Sequence, residues 1–219
     1  MRYLVTFLAL FSYQSLPYAD EINNIEPLPL FIGIKFGSGS SNLNNEAPPL
    51  ANLVNTKTTE SLISKGIFIG ARLFETSSKR FFISTELSSI DHGEVTINST
   101  TTTTNYFATQ TIKSTDLELI FGIQIRNNLA LRIGVGQYFP KINLVSDIPN
   151  LQPNAPGWII TDPNASGSLK SIGLEAKVLD QISVVIDYVE YDNIAYDFTG
   201  ISKKGLNLST FNIKILYTF

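Results

Sequence analysis

From residue 30 onward the chain alternates apolar and polar side chains at every second position, in segments of about ten residues. A period of two is the period of a β-strand. "LFIGIKFG" (30–37) sets Leu30, Ile32, Ile34 and Phe36 against Phe31, Gly33, Lys35 and Gly37. "GIFIGARLF" (66–74) sets Ile67, Ile69, Ala71 and Leu73 against Gly66, Phe68, Gly70 and Arg72. "RFFISTEL" (80–87) opposes Phe81, Ile83, Thr85 and Leu87 to Phe82, Ser84 and Glu86. "DLELIFGIQI" (116–125) is the cleanest, with five apolar residues from Leu117 to Ile125 facing away from Asp116, Glu118, Ile120, Gly122 and Gln124. The scheme repeats in "LALRIGVG" (129–136), "SIGLEAKV" (171–178), "ISVVIDY" (182–188) and "FNIKILYTF" (211–219), which makes eight predicted strands.

The connections sort by length. "TSSK" (76–79), "RNN" (126–128) and "LDQ" (179–181) are tight, whereas 38–62, 88–113, 137–168 and 191–206 are long and rich in Asn, Ser, Thr, Pro and Gly. Short and long connections alternate strictly. A soluble sandwich has no reason to sort its loops this way, because both of its ends meet the same water. An eight-stranded antiparallel up-and-down transmembrane β-barrel does, with short periplasmic turns and long extracellular loops.

Charge chooses between the two barrels that the alternation allows. The apolar face carries no Asp, Glu, Lys or Arg, while the other carries Lys35, Arg72, Arg132, Lys177 and Lys214 with Glu86, Asp116, Glu118, Glu175 and Asp187. A soluble lipid-binding barrel would turn this charged face to water. A membrane barrel must turn it inward, since Lys or Arg facing lipid at the midplane costs about 2–4 kcal/mol. Three features favour the membrane barrel. Glycines gather on the charged face (Gly33, Gly70, Gly122, Gly134, Gly136, Gly173), as a narrow, filled interior requires. The two signs balance, so the ten residues are expected to form an interior network of ion pairs, because an unpaired buried charge is expensive. The aromatics of the apolar face fall near strand ends: Phe81, Tyr217 and Phe219 at the expected periplasmic rim, Phe36, Tyr188 and Phe211 nearer the outer one.

The N-terminus reads as an export signal. Arg2 precedes the apolar run "LVTFLALFSY", and cleavage after Ala19 gives a signal peptide at 1–19, a short lead at 20–29 and the barrel at 30–219. Charged residues are only 16 % of the 219, which suits a wall facing lipid. A net charge of −3 removes any case for nucleic-acid binding, and the absence of cysteine removes disulfides, thiolate metal sites and a Cys nucleophile. No cofactor or metal is expected.

With this architecture and the ending "FNIKILYTF", the chain resembles the small eight-stranded outer-membrane barrels of Gram-negative bacteria, the OmpA transmembrane domain and OmpX-like proteins. The resemblance implies an outer-membrane location, with outer-membrane lipid and lipopolysaccharide around the wall. It also implies that Phe211, Ile213, Ile215, Tyr217 and Phe219 form the signal read by the outer-membrane barrel assembly machinery. No peptidoglycan-binding domain follows the barrel in this chain, so the tethering role of full OmpA is not implied.

Three functions suit such a chain. The first is a non-enzymatic surface protein whose long loops meet an extracellular ligand, with Trp158 in "APGWIIT" a candidate anchor; packing of Trp158 on the rim is the plainer reading. The second is a narrow pore for ions or small solutes: a filled, charge-paired interior argues against a wide channel, and rearrangement of a pair such as Glu118 and Arg132 would open a small path. The third is a membrane-embedded lipid hydrolase. It would need a nucleophile beside a base, and the single histidine, His92 in "SSIDHGE", is read as a loop residue.

Overall fold

A computed structural model describes residues 29–41, 55–76, 78–100, 105–146, 166–198 and 201–219. The strands are β1 (Leu30–Ser41), β2 (Asn55–Ser61), β3 (Ile63–Glu75), β4 (Phe81–Thr100), β5 (Asn105–Arg126), β6 (Leu129–Ser146), β7 (Gly167–Lys177), β8 (Ile182–Phe198) and β9 (Ile201–Thr218). Both β2 and β3 pair with β4 and are successive lengths of one stave, parted at Leu62. The Leu62 carbonyl accepts from the Gly39 amide at 2.7 Å. Opposite the break, β4 slips register between Asp91 and Gly93, and Gly93 has φ +95°, a conformation that suits glycine. The Asp91 carboxylate accepts the Gly93 amide at 3.0 Å, which fixes the bulge.

Every pairing is antiparallel, β1 meets β9, and the β4–β5 pairing completes a closed eight-stave barrel. The register measures its stagger. A path across the wall from Ser40 through Ser209, Glu190, Lys170, Val135, Leu119, Thr85 and Ala71 returns to β1 at Leu30, ten residues lower. With the spacings of ordinary sheets, that stagger in eight strands tilts them about 40° from the axis.

The short turns and the β1–β9 termini share one end, here the turn end. At the other, far end the strands outrun the sequence expectation. Residues 88–113 and 191–206, expected as loops, are largely the tall hairpins β4–β5 and β8–β9. The expected Trp158 contact lies outside the described residues.

The eight alternating segments turn their apolar residues outward. Ile32, Ile67, Ile123, Ile172 and Phe211 are each about half exposed or more, as befits side chains that meet lipid rather than protein. The outward aromatics bracket this belt, with Phe74, Phe81, Tyr217 and Phe219 at the turn end and Phe36, Tyr188 and Phe211 at the far side. Inside, Phe82 lies flat against Gly122, where any side chain would collide with its ring. Phe68 and Phe31 cover Gly33 and Gly70 in the same way. These three glycines make room for aromatic rings, and Gly134 makes room for the side chains of Glu118 and Ser171, which leaves the lumen packed rather than open.

Candidate functional site

The lumen holds the charged residues in two joined tiers. In the lower tier, Glu86 on β4 and Glu118 on β5 are directly opposite in register. Like charges placed so would repel. Lys214 on β9 reaches between them, with Nζ 2.8 Å from Glu86 Oε1, 2.9 Å from Asp187 Oδ2 and 4.0 Å from Glu118 Oε2. Arg132 on β6 approaches the other Glu86 oxygen at 3.4 Å and Glu175 at 3.5 Å. Neutral donors satisfy what the cations leave: Ser88 donates to Glu86, Ser171 to Glu118, and Asn212 to Asp187 at 2.9 Å. Glu86, Lys214 and Asn212 are at most 1 % exposed, so the ion pairs are deeply buried, and Arg132 Nη1 is left without a hydrogen bond beside Glu175.

The upper tier is a chain of hydrogen bonds. Lys35 Nζ donates to the Tyr191 hydroxyl at 3.4 Å, and that hydroxyl donates to Asp116 Oδ2 at 3.0 Å. Ser114 donates to Asp116 Oδ1 at 2.6 Å, and His92 Nε2 lies 2.8 Å from Ser114 Oγ. The rings of His92 and Tyr138 both stand edge-on to Tyr191, with centroids 5.0 Å away. Above this tier the lumen turns apolar: Leu62, Val95, Ile112, Tyr138, Leu169, Val189, Tyr191 and Leu208 form one buried cluster. At the turn end Phe31, Phe68, Val185 and Leu216 form another. A cavity of about 30 Å³ beside Arg72, Arg132, Ser84 and Glu175 has room for about one water at the turn-end mouth.

Of the ten residues expected in the network, Glu86, Glu118, Arg132, Asp187 and Lys214 lie in the lower tier with Glu175, and Lys35 and Asp116 in the upper. Arg72 is at the mouth, bridging Glu175 at 3.5 Å and Glu75 at 3.3 Å and stacking 4.0 Å over Phe82. Lys177 departs from the expectation. Its side chain is 51 % exposed and pairs with Asp180 across the turn, because β7 ends there and leaves it outside the lumen. Phe211, Ile213, Ile215, Tyr217 and Phe219 all face outward on β9.

His92 also departs from its reading as a loop residue. It is 1 % exposed inside the barrel, because β4 runs to Thr100 and the Gly93 bulge turns this position inward. Ser114, Tyr191 and Asn212 were not singled out in the sequence, although Ser114 and Asn212 each lie two residues, and Tyr191 four, from a charged residue of the same face. The trio His92, Ser114 and Asp116 has the residue types of a hydrolytic triad but not its order. Ser114 gives its proton to Asp116, so His92 must donate Nε2–H to Ser114 Oγ, and its Nδ1 is a buried acceptor with no partner. A triad needs the base to accept from the nucleophile and the carboxylate to orient the base. Among the described residues, no group of three His, Asp or Glu side chains could hold a metal ion.

The barrel is similar to the neisserial surface protein A, NspA (TM-score 0.52, 10 % identity, 88 % of this chain and 97 % of that one). It is also similar to the outer membrane protein OprG of Pseudomonas aeruginosa (0.48, 11 %, 88 % and 95 %) and to the Escherichia coli outer membrane protease OmpT (0.47, 8 %, 92 % and 100 %). No protein-family model and no curated protein sequence matches the chain. At such identities the likeness is one of fold, and that fold is the small transmembrane barrel of outer membranes.

Proposed function

We propose that this chain is a non-enzymatic surface protein of a Gram-negative outer membrane, exported by its N-terminal signal, with its far end outside the cell. The observation that carries this reading is the filled lumen. Ion pairs and an apolar cluster occupy successive levels of the interior, so the barrel acts as an anchor and the tall hairpins β4–β5 and β8–β9 are the parts that meet the environment. A ligand of the cell surface or of a host would contact the hairpin tips. The order of the His92–Ser114–Asp116 trio speaks against hydrolysis, and tight packing speaks against a pore.

Two measurements on the full chain test this. Protease added to intact cells should cut the hairpins and leave a membrane-embedded core, and the purified barrel in planar bilayers should pass no steady current. Protection of the hairpins on intact cells sinks the orientation. Reproducible conductance steps would sink the anchor reading and make the lumen a path.

A further inference from the structure

A row of outward side chains crosses the wall at the far edge of the apolar belt. In register it runs Phe36, Lys65, Asp91, Lys113, Lys141, on β1, β3, β4, β5 and β6 in turn. Asp91 sits between two lysines and is 3.6 Å from Lys113. Lys113 and Lys141 are directly opposite each other, both exposed, and among the described residues no carboxylate pairs with Lys141 or Lys65. Like charges directly across a strand pair are destabilising. The rest of this rim carries no such excess: Lys170 pairs with Asp192 at 3.0 Å and faces Glu190, while β9 and β1 meet through Ser209 and Ser40.

The wall below fixes what could relieve that repulsion. Leu117, Leu119, Ile133 and Val135 stand on the same outward faces of β5 and β6, below the lysines, and are about 40–50 % exposed. Because the strands tilt, the row climbs by roughly 3 Å per strand. Lys65 therefore lies level with the end of the apolar belt, and Lys113 and Lys141 stand above it. An anion seated there has acyl-binding wall beneath it.

We infer that Lys113 and Lys141, flanked by Lys65, clamp the phosphate of an anionic outer-leaflet lipid whose acyl chains lie along the β5–β6 wall. The inference rests on the orientation proposed above and deepens it. Two ammonium groups act as point charges on one phosphate. Each basic residue near a membrane surface is worth about fivefold in binding an anionic lipid. Asp91 competes for Lys113 and sets the affinity from the side.

The test is native mass spectrometry of the purified full chain in detergent, titrated with lipid A, with phosphatidylcholine and with inorganic phosphate. Lipid A should bind in defined stoichiometry, and phosphatidylcholine and millimolar phosphate should neither bind comparably nor displace it. K113Q/K141Q should lose about twenty-five-fold in lipid A affinity, D91N should gain, and K170Q, in the neutralised sector, should stay within about twofold. Unchanged affinity in K113Q/K141Q, no gain in D91N, or equal binding of phosphatidylcholine overturns the clamp. Binding of inorganic phosphate as tight as that of lipid A overturns the lipid as occupant. The lysine substitutions are on exposed side chains, and D91N keeps the side-chain oxygen that accepts the Gly93 amide, so the SDS-resistant folded band is expected in each variant. Protease protection of the hairpins on intact cells would break the surface reading, whatever lipid binds in detergent.

Discussion

The middle and the far end of the lumen obey opposite rules on the same strands. On β5 the inward residues are Asp116, Glu118, Ile120 and Gly122 where the wall outside is Leu117, Leu119 and Phe121, yet the inward residue becomes Ile112 where the outside becomes Lys113. On β8 the inward Asp187 gives way to Val189 as the outward Tyr188 gives way to Glu190, and on β9 the inward Lys214 and Asn212 give way to Leu208. Strand phase is unchanged; the surroundings have switched. Where lipid is outside, the middle of the lumen takes the polar residues, and Phe31, Phe68, Val185 and Leu216 close the turn end below them. Where water is outside, the far length of the barrel buries apolar side chains like any soluble sheet. The levels are therefore held differently, the charged tiers by pairing that fails if one partner goes, the apolar cluster above them by packing that tolerates small losses.

The largest break in this contrast is expected from Lys214→Met. It leaves Glu86 and Asp187 buried without their shared cation, and Glu86 facing Glu118 unrelieved, so stability should fall by about 3–5 kcal/mol. Guanidinium unfolding of the vesicle-inserted barrel reads this, and adding Glu86→Gln should recover part of the loss. A loss under about 1 kcal/mol would mean that the lower tier is wetter than its burial indicates.

The joint between the upper tier and the apolar cluster is Tyr191, whose hydroxyl serves Asp116 and Lys35 while its ring belongs to the cluster. Tyr191→Phe keeps the ring and removes the hydroxyl, for an expected loss of about 1–3 kcal/mol by the same unfolding measurement. An unchanged midpoint would uncouple the tier from the cluster.

The smallest effect sharpens the upper side. The Tyr138 hydroxyl is buried with no partner in the structure, so Tyr138→Phe should be neutral or slightly stabilising. A loss above about 1 kcal/mol would reveal a polar partner for that oxygen and make the cluster polar in character after all.

The inversion also explains what the sequence makes legible. Ile32 to Phe36, Leu117 to Ile125 and Phe211 to Phe219 alternate with one parity because one medium, lipid, lies outside them, and all eight staves can be read from that parity. At Lys113 and at Glu190 the parity reverses. A scan for a continuous apolar face stops there and takes 88–113 and 191–206 for loops, although the backbone goes on as strand. His92 hides for a second reason, since the Gly93 bulge adds a residue and breaks the count. Lys177 errs the other way: its parity is right, but it lies at the last position of β7, where the wall no longer encloses a lumen.

The Phe219 amide donates to the Leu30 carbonyl at 3.0 Å, and β1 and β9 are joined over eleven register pairs from Phe31 to Ser41. The wall is thus sealed between the two stretches of the barrel made furthest apart in time. Until β9 has been synthesised and docked, β1 and β8 both present unpaired strand edges, the surfaces most prone to pair with a stranger. Closure is a contact of very long sequence separation and is correspondingly slow to find. A chain of this design must be kept from folding early, and released only when its final stave is at hand.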